Sequence, residues 1–166
     1  MKITHRQIDF EKDKEYVLEC HCKINYECDT PWKRSMDYSD YRAEWFMLKG
    51  QIAEFYNYLK ETANDKRTIA EIIEDESGSI VGYFWVPFCE DTESGFAFAD
   101  IQDIYIEPEY RKFGIATGLL QYAEVRAKHS GARVIRSGTG CENRASIDLH
   151  NKLGYYTYRY EFEKEL

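Results

Sequence analysis

A short basic turn that leads into a helix is the part of the sequence best suited to hold a ligand. Residues 101–106 form an apolar strand pattern, Pro108 ends it, and Gly114 opens an amphipathic helix. The first amides of a helix have no partner inside the helix, and the helix dipole adds partial positive charge to them. Because Gly114 has no side chain, a diphosphate can approach the backbone closely, and Arg111 and Lys112 add positive charge. The pattern predicts a phosphate site built mainly from backbone amides.

Two better-known phosphate-binding patterns do not describe this turn. A Walker loop needs a lysine followed by a serine or threonine that holds magnesium, and this pair is missing here. The segment Gly114-Ile115-Ala116-Thr117-Gly118 has the spacing GxAxG, which differs from the dinucleotide fingerprint. An ordinary helix that merely begins at a glycine stays open as the alternative.

A second pattern lies about 30 residues further along the chain. Asn143 opens a short predicted helix that ends in Lys152-Leu153-Gly154-Tyr155. In the basic turn, Arg111, Gly114 and Ala116 resemble the acyl-coenzyme A signature of the GNAT superfamily of N-acetyltransferases, and the second segment resembles the second motif of the same family. The likeness covers residues 96–155 well, and the remainder of the chain only by the order of its elements.

The resemblance implies acetyl-coenzyme A as the co-substrate and no metal. It implies that the main chain of the strand pairs with the pantetheine arm, as if the ligand were an added strand. Amides of the turn are expected to hold the pyrophosphate, and the asparagine of the second pattern to reach the pantetheine or a water beside it. The expected cofactor-binding residues are Ile104, Tyr105, Ile106, Arg111, Lys112, Phe113, Gly114, Ile115, Ala116, Thr117 and Asn143.

Acetyl transfer to an amine also needs proton transfer. An ammonium has no lone pair, so a base or a chain of waters must take its proton before the nitrogen attacks the thioester. The resemblance places Asp100 where several members of the family have their base, with Asp103 as the second candidate. His150 stands where many members have a tyrosine proposed to protonate the leaving thiolate, and an imidazole can exchange protons near neutral pH. A histidine satisfied by a backbone carbonyl is the alternative for His150.

Aromatic and acidic side chains are concentrated between residues 25 and 46, where the family builds its acceptor site. Aromatic faces combined with carboxylates suit a cationic guest. The expected acceptor is therefore a small cationic amine, aminoglycoside-like or polyamine-like. A packed core with a solvated acidic rim is the alternative, and a protein amine or a non-catalytic coenzyme A-binding module stay open as other functions. The residues expected to contact the acceptor are Tyr26, Trp32, Tyr38 and Glu90.

The cysteines favour a reducing compartment. The chain has five of them, an odd number, and its first residues contain no apolar signal core, so a cytoplasmic location is expected. Cys20, Cys22 and Cys28 with His21 invite a zinc interpretation, but the spacing lacks the usual paired knuckles. Packed thiols are expected there, and Cys141 is likewise expected to be a packed side chain and not a nucleophile.

Length and charge limit the other possibilities. At 166 residues and 19.7 kDa, residues 1–166 are expected to form a single domain, here an N-acetyltransferase domain. A net charge of -8 disfavours nucleic acid and anionic membranes as partners, because both require a positive surface. No apolar run approaches the roughly 20 residues that a membrane span needs.

The periodicity of apolar residues predicts an α+β fold with a mixed, mostly antiparallel central sheet flanked by helices. The element order is β-α-α-β-β-β-α-β-α-β, which is also the order of the acyl-CoA N-acyltransferase fold that the resemblance implies. The tyrosine-rich last strand would leave an awkward bare edge, so a homodimer through that strand is an expectation. Strands are predicted at residues 2–8, 68–74, 80–88, 96–106, 134–137 and 155–162, and helices at residues 11–27, 38–62, 114–131 and 145–152.

Overall fold

The computed structural model describes residues 2–164. Five longer helices, one four-residue helix and seven strands alternate in nearly the predicted order. The strands are β1 Ile3–Gln7, β2 Ile69–Asp75, β3 Ile80–Val86, β4 Phe88–Glu90, β5 Ala97–Ile101, β6 Asp103–Ile106 and β7 Val134–Ser137. The helices are α1 Lys14–Cys28, α2 Pro31–Arg34, α3 Tyr38–Met47, α4 Lys49–Ala63, α5 Ile115–His129 and α6 Arg144–Lys152.

The strands form two sheets that share one long chain segment. The first sheet has the order β1-β2-β3-β6 and is antiparallel throughout. The second has the order β4-β5-β7, in which β5 and β7 run parallel. This confirms the predicted fold class, a mixed and mostly antiparallel sheet with helices on its faces.

Both faces of the sheet are covered. Helices α1, α3 and α4 pack on one face, where residues such as Ile72, Tyr83 and Trp85 form the α1-side core. Helix α5 packs on the other face against the α5-side core, which includes Ile73 and Phe84. Because helices cover both faces, β2 and β3 are buried along most of their length, and β3 is a continuous apolar run instead of an alternating one.

Two predicted helices differ from the observed ones. The first begins at Lys14, not at residue 11, because the Asp9 carboxylate accepts the amides of Glu11 and Lys12 and closes a separate turn before it. The long helix predicted at residues 38–62 is divided into α3 and α4 by Leu48, whose φ of -78° and ψ of 59° are not helical.

The predicted last strand is wrong. Residues 155–164 follow α6 without forming a strand, although their aromatic residues alternate as a strand would require. Tyr156, Tyr158, Tyr160 and Phe162 are largely exposed. Alternation marks a chain that could lie on a sheet, but a strand exists only where a second backbone edge pairs with it. The expectation of a homodimer through a strand at this position therefore has no support in the structure.

Candidate functional site

A β-bulge at Gln102 divides the long strand predicted at residues 96–106. Before it, β5 pairs in parallel with β7 up to the partners Ile101 and Ser137. After it, β6 pairs with β3, with Asp103 opposite Trp85. The amide of Gln102 also donates to the carbonyl of Trp85, at 3.1 Å, so two consecutive residues face one residue of β3. Strands β6 and β7 therefore diverge at Gln102, and one edge of β6 is left without a partner strand.

The bulge also changes which side chains share a face. Ala99 and Ile101 lie in the α5-side core, and so does Ile106. The step from 101 to 106 is odd, which a regular strand with its period of two cannot produce. The inserted residue places Asp103, like Tyr105, on the face covered by α1.

The open edge of β6 presents backbone groups at Ile104 and Ile106. The amide of Glu107 donates to the carbonyl of Val81 on β3 at 2.9 Å. The main-chain N–H and C=O groups of the odd-numbered residues of β6 therefore point toward β3, and those of the even-numbered residues point away from it. The Ile106 carbonyl on this edge accepts the guanidinium Nε of Arg111 at 2.8 Å. Within residues 2–164, no strand pairs with the edge that contains Ile104.

The basic turn after β6 directs a run of amides to one place. Lys112 and Gly114 both have left-handed backbones, with φ of 67° and 82°. The first hydrogen bond of α5 is donated by Gly118 to the Gly114 carbonyl at 3.0 Å. In the described part of the chain, none of the amides of residues 112–117 donates to a protein acceptor. These amides are called the amide turn below; they meet the requirements of an anion site.

One of the predicted cofactor residues, Arg111, is arranged differently from the expectation. The amide of Arg111 donates to the Pro108 carbonyl at 3.3 Å, and its guanidinium is held by Ile106 and lies over the Tyr105 ring at 5.5 Å. Arg111 thus braces the amide turn from behind and does not offer its own amide. Phe113, by contrast, is 70% exposed on the outer side of the turn.

The remaining cofactor residues lie at the start of α5 and α6. Ile115 is buried in the α5-side core, and Ala116 packs against that core. Asn143 is the N-cap of α6, where its Oδ1 accepts the amide of Ser146 at 3.2 Å. No hydrogen bond occupies the Nδ2 group of Asn143 among residues 2–164, so this donor is available.

His150 is held by its own helix. Its Nδ1 lies 2.7 Å from the carbonyl oxygen of Ser146, so Nδ1 must carry the hydrogen and donate it. The neutral ring then has a lone pair on Nε2, which is buried and has no partner within the described residues. His150 can give up a proton at Nε2 only when the ring is an imidazolium. Its assignment as an acid stays a prediction, and the backbone bond expected in the alternative is present.

Asp100 lines a cavity of about 370 Å³ between β5, β7 and the chain after α6. Its Oδ2 accepts the side-chain amide of Gln102 at 2.7 Å. Burial raises the pKa of the Asp100 carboxyl, while the Gln102 hydrogen bond and the charges of Arg136 and Arg159 act in the opposite direction. The net effect is a pKa above the ordinary carboxyl value, which makes the carboxylate a better proton acceptor.

Asp103 is paired with a histidine that sequence reasoning considered only as a metal ligand. Its carboxylate is 1% exposed, and its two oxygens lie 2.8 and 3.0 Å from Nδ1 of His21 on α1. The two residues are 82 positions apart, so no local pattern could have connected them. Asp103 itself is shielded from any acceptor, and only His21 can act for it.

None of the four side chains predicted to contact the acceptor lines the cavity beside Asp100 or the larger cavity described below. The Tyr26 hydroxyl donates to the Met36 carbonyl at 2.8 Å, and the Tyr38 hydroxyl donates to Glu19 at 2.8 Å. Trp32 is half exposed, with the Lys33 ammonium 4.9 Å from its ring centroid. Glu90 lies elsewhere, paired with Arg67 at 3.2 Å. Their roles stay predictions.

A different set of residues from the same region lines a cavity of about 490 Å³, called the α1 cavity below. It lies between the end of α1 and helices α2, α3 and α4. Its lining includes two carboxylates, two aromatic rings and the ammonium of Lys33. This ammonium is paired with Glu44 at 2.8 Å. The lining residues are Asn25, Cys28, Asp29, Lys33, Tyr41, Glu44, Trp45, Leu48 and Gln51.

The cysteines follow their expected burial only in part, since Cys28 is half-buried. Cys20 and Cys22 are buried, and burial raises the pKa of their thiols to about 12 and about 11. Cys141 is exposed, contrary to the expectation that it packs, because it lies in the loop between β7 and α6.

Across residues 2–164, no three His, Cys, Asp or Glu side chains are grouped closely enough to hold a metal ion. In the same range, no helix has the length and apolar character needed to cross a membrane.

Comparison with known proteins agrees with this geometry. The model of the acetyltransferase (GNAT) family matches residues 27–155. An uncharacterized N-acetyltransferase of Methanocaldococcus jannaschii is 25% identical over 123 residues, which are 71% of this chain and 51% of that protein. An aminoglycoside N(6')-acetyltransferase type 1 of Acinetobacter baumannii is 38% identical over 58 residues, 35% of this chain and 40% of that protein. The chain thus spans about half or less of these relatives.

A solved structure extends the likeness to the whole fold. A Clostridium acetobutylicum protein classed as an acetyltransferase, crystallised with acetyl-coenzyme A, superposes with a TM-score of 0.67. The match covers 99% of this chain and 96% of that one at 18% sequence identity, so it establishes the shared fold.

Proposed function

The chain belongs to the acetyltransferase (GNAT) family, and on that premise we propose that it transfers an acetyl group from acetyl-coenzyme A to a primary amine. The amine attacks the thioester directly while both substrates are bound. One observation carries the proposal: the amide turn, with its unused donors at residues 112–117, lies directly after the open edge of β6. A diphosphate joined to an extended arm that contains amides requires an anion site next to an unpaired strand edge, and here the two follow each other along the chain.

The residues present fit the coenzyme. The amide turn supplies the donors for the pyrophosphate, and Lys112 adds a positive charge. The main-chain groups of Ile104 and Ile106 face the arm, and Nδ2 of Asn143 offers one further donor. When bound, acetyl-coenzyme A supplies the activated acetyl group. The protein's own tasks are to orient that thioester, hold the amine beside it and accept a proton.

A small cationic amine is the acceptor class that the α1 cavity favours. Asp29 and Glu44 contribute carboxylates, and Tyr41 and Trp45 contribute aromatic rings. Such linings bind ammonium groups through charge and cation–π attraction. The aminoglycoside acetyltransferase among the relatives is consistent with this class. A cavity of about 490 Å³ also accommodates a molecule of this size better than it accommodates a folded protein surface.

The first test is an acceptor panel. Release of free thiol from acetyl-coenzyme A is measured with kanamycin, spermidine, a neutral amino sugar, an acidic amino acid and a lysine peptide. Turnover is expected with kanamycin or spermidine. Turnover confined to the neutral or acidic acceptors would remove the acceptor class, and absence of turnover with every amine would remove the proposed function, even if coenzyme A still binds.

The amide turn is tested with a pair of glycine variants. Gly114 and Gly131, at the two ends of α5, both have left-handed backbones, with φ of 82° and 89°, and a Cβ at either position meets open space. Alanine at each therefore costs similar stability, about 1–2 kcal/mol. Only Gly114→Ala should weaken coenzyme A binding, by about tenfold, because it rotates amides that bond a charged group. Calorimetry in which both variants bind equally well would contradict this site.

A further inference from the structure

The pair formed by Asp103 and His21 has the geometry of a proton acceptor. The Asp103 carboxylate is almost completely buried, and both of its oxygens face Nδ1 of His21. Nδ1 must carry the hydrogen, since a carboxylate can only accept. The neutral ring therefore has its lone pair on Nε2. A buried carboxylate behind an imidazole fixes the tautomer and stabilises the imidazolium that forms when Nε2 takes up a proton.

The ring of His21 is held in one orientation. It stacks on Phe55 of α4, with centroids 3.6 Å apart and planes 8° apart, and meets the edge of Trp45 of α3 at 5.9 Å. Its side chain is 18% exposed. Nε2 accepts no hydrogen bond from residues 2–164 and is not among the buried polar atoms without partners, so solvent reaches it. The lone pair is thus fixed in direction and accessible.

His21 lies between the α1 cavity and the open edge of β6. On α1 it shares a face with Asn25 and Cys28, four and seven residues later, and both of these line the cavity. Trp45 touches the imidazole and lines the same cavity. On the opposite side, Asp103 directly follows the bulge at which the edge of β6 opens. The imidazole therefore stands where an amine from the cavity would meet a thioester at that edge.

We propose that His21 is the base that deprotonates the acceptor ammonium, with Asp103 as its positioning residue; this rests on the proposed acetyl transfer. His21 Nε2 takes one proton as an N–H bond of the ammonium breaks. The freed nitrogen lone pair forms the bond to the thioester carbonyl carbon, and the C–S bond breaks with its electron pair leaving on sulfur. A second proton from the attacking nitrogen ends on that sulfur, and His21 returns its proton to solvent. The products are the amide, the free thiol and one released proton.

The other candidates are less well placed. Asp100 faces the other cavity, and one of its oxygens is already occupied by Gln102. Nε2 of His150 is buried. A second carboxylate–histidine pair, His5 with the buried Glu71 at 2.8 Å, lies on β1 and β2 and contacts Tyr122 of α5, on the face of the sheet opposite to α1. It provides a matched control for the same chemistry at a different place.

The test compares His21→Asn with His5→Asn. Asparagine can keep the hydrogen bond to the carboxylate through Nδ2 but has no counterpart of Nε2. For acetyl transfer to kanamycin or spermidine, His21→Asn should lower kcat by about 100-fold or more, the usual range for loss of a general base. The KM for the amine and the coenzyme A dissociation constant should stay within about threefold, and His5→Asn should match the wild type on all three measures. Asp103→Asn should also lower kcat with little change in KM.

Imidazole rescue separates a chemical role from a structural one. Free imidazole should restore activity of His21→Ala by about tenfold or more, because it can replace the missing base, and should leave His5→Ala unaffected. Full kcat in His21→Asn, or loss of activity that imidazole does not relieve, overturns the assignment while the wild-type activity keeps the proposed function intact. A wild-type protein inactive on every amine overturns the proposed function, and this assignment with it.

Discussion

At the scale of single residues, burial and hydrogen bonds decide what each ionisable group can do. Asp100 is half-buried, and burial raises its pKa above that of a free carboxyl. His21 and His150 both donate from Nδ1, yet one Nε2 is open to solvent and the other is enclosed. Two residues of the same type are thereby prepared for different tasks.

The raised pKa of Asp100 has a consequence for stability. Because the folded protein holds the ionised carboxyl less well than the unfolded chain does, ionised Asp100 lowers stability at neutral pH, and the loss disappears below the unfolded pKa of about 3.9. Asp100→Asn should therefore raise the free energy of unfolding at pH 7. The gain should shrink as pH falls through the folded pKa. Urea titrations at pH 7 and pH 3.5 measure it, and a gain that is equal at both values, or a loss at pH 7, contradicts the raised pKa.

Residue identities alone identified Gly114 and Asn143 as candidate cofactor residues, but they did not connect His21 with Asp103. Gly114 and Asn143 belong to patterns that are contiguous in sequence, so their positions could be recognised. His21 acquires its chemistry from Asp103, Phe55 and Trp45, which are distant in sequence and reach it only after folding. No spacing rule contains such information.

At the scale of elements, the bulge at Gln102 produces the geometry of the candidate site. It lets β5 stay with β7 and β6 stay with β3, so that one edge of β6 is released. It also turns Asp103 toward α1. A regular strand would have kept the edge paired and placed Asp103 in the α5-side core.

Gly82 on β3 keeps β6 in position. A Cβ added there would overlap the backbone carbonyl of Tyr105 on β6. Gly82→Ala should push the two strands apart, cost about 1–3 kcal/mol in the free energy of unfolding and weaken coenzyme A binding. Gly50→Ala on α4 is the control, since a Cβ there meets nothing within 4 Å. Denaturant titration and calorimetry check both. Unchanged stability and binding in Gly82→Ala would show that the strands can adapt.

Sequence periodicity predicted the elements whose signal is local. The apolar stripe of α5, with Ile115, Leu119, Ala123 and Ala127 all buried, and the strand at residues 134–137 are both confirmed. The break at Leu48 and the division of residues 96–106 were missed, because each results from packing against other elements. The strand predicted at residues 155–162 was wrong, since alternation specifies a face but supplies no partner edge.

At the scale of the whole molecule, parts from distant regions of the chain meet at one place. Helix α1 contributes His21, β6 contributes the open edge, and the amide turn follows directly from β6. The loop after β7 packs against the end of α1, since a Cβ on Gly140 would meet the backbone of Cys28 at 2.8 Å. The net charge of -8 would favour the approach of the cationic acceptor proposed above, while the positive partial charges of the turn would favour the proposed binding of coenzyme A.

Hydrogen exchange at single amides tests the central claim most directly. Coenzyme A is added to the wild-type protein at saturating concentration, and the exchange rate of each backbone amide is compared with that of the free protein. The amides of residues 112–117 and those of Ile104 and Ile106 should slow most, because these donors are unused without the ligand. Binding that leaves these amides exchanging at their original rates, or protection concentrated elsewhere, would contradict the account.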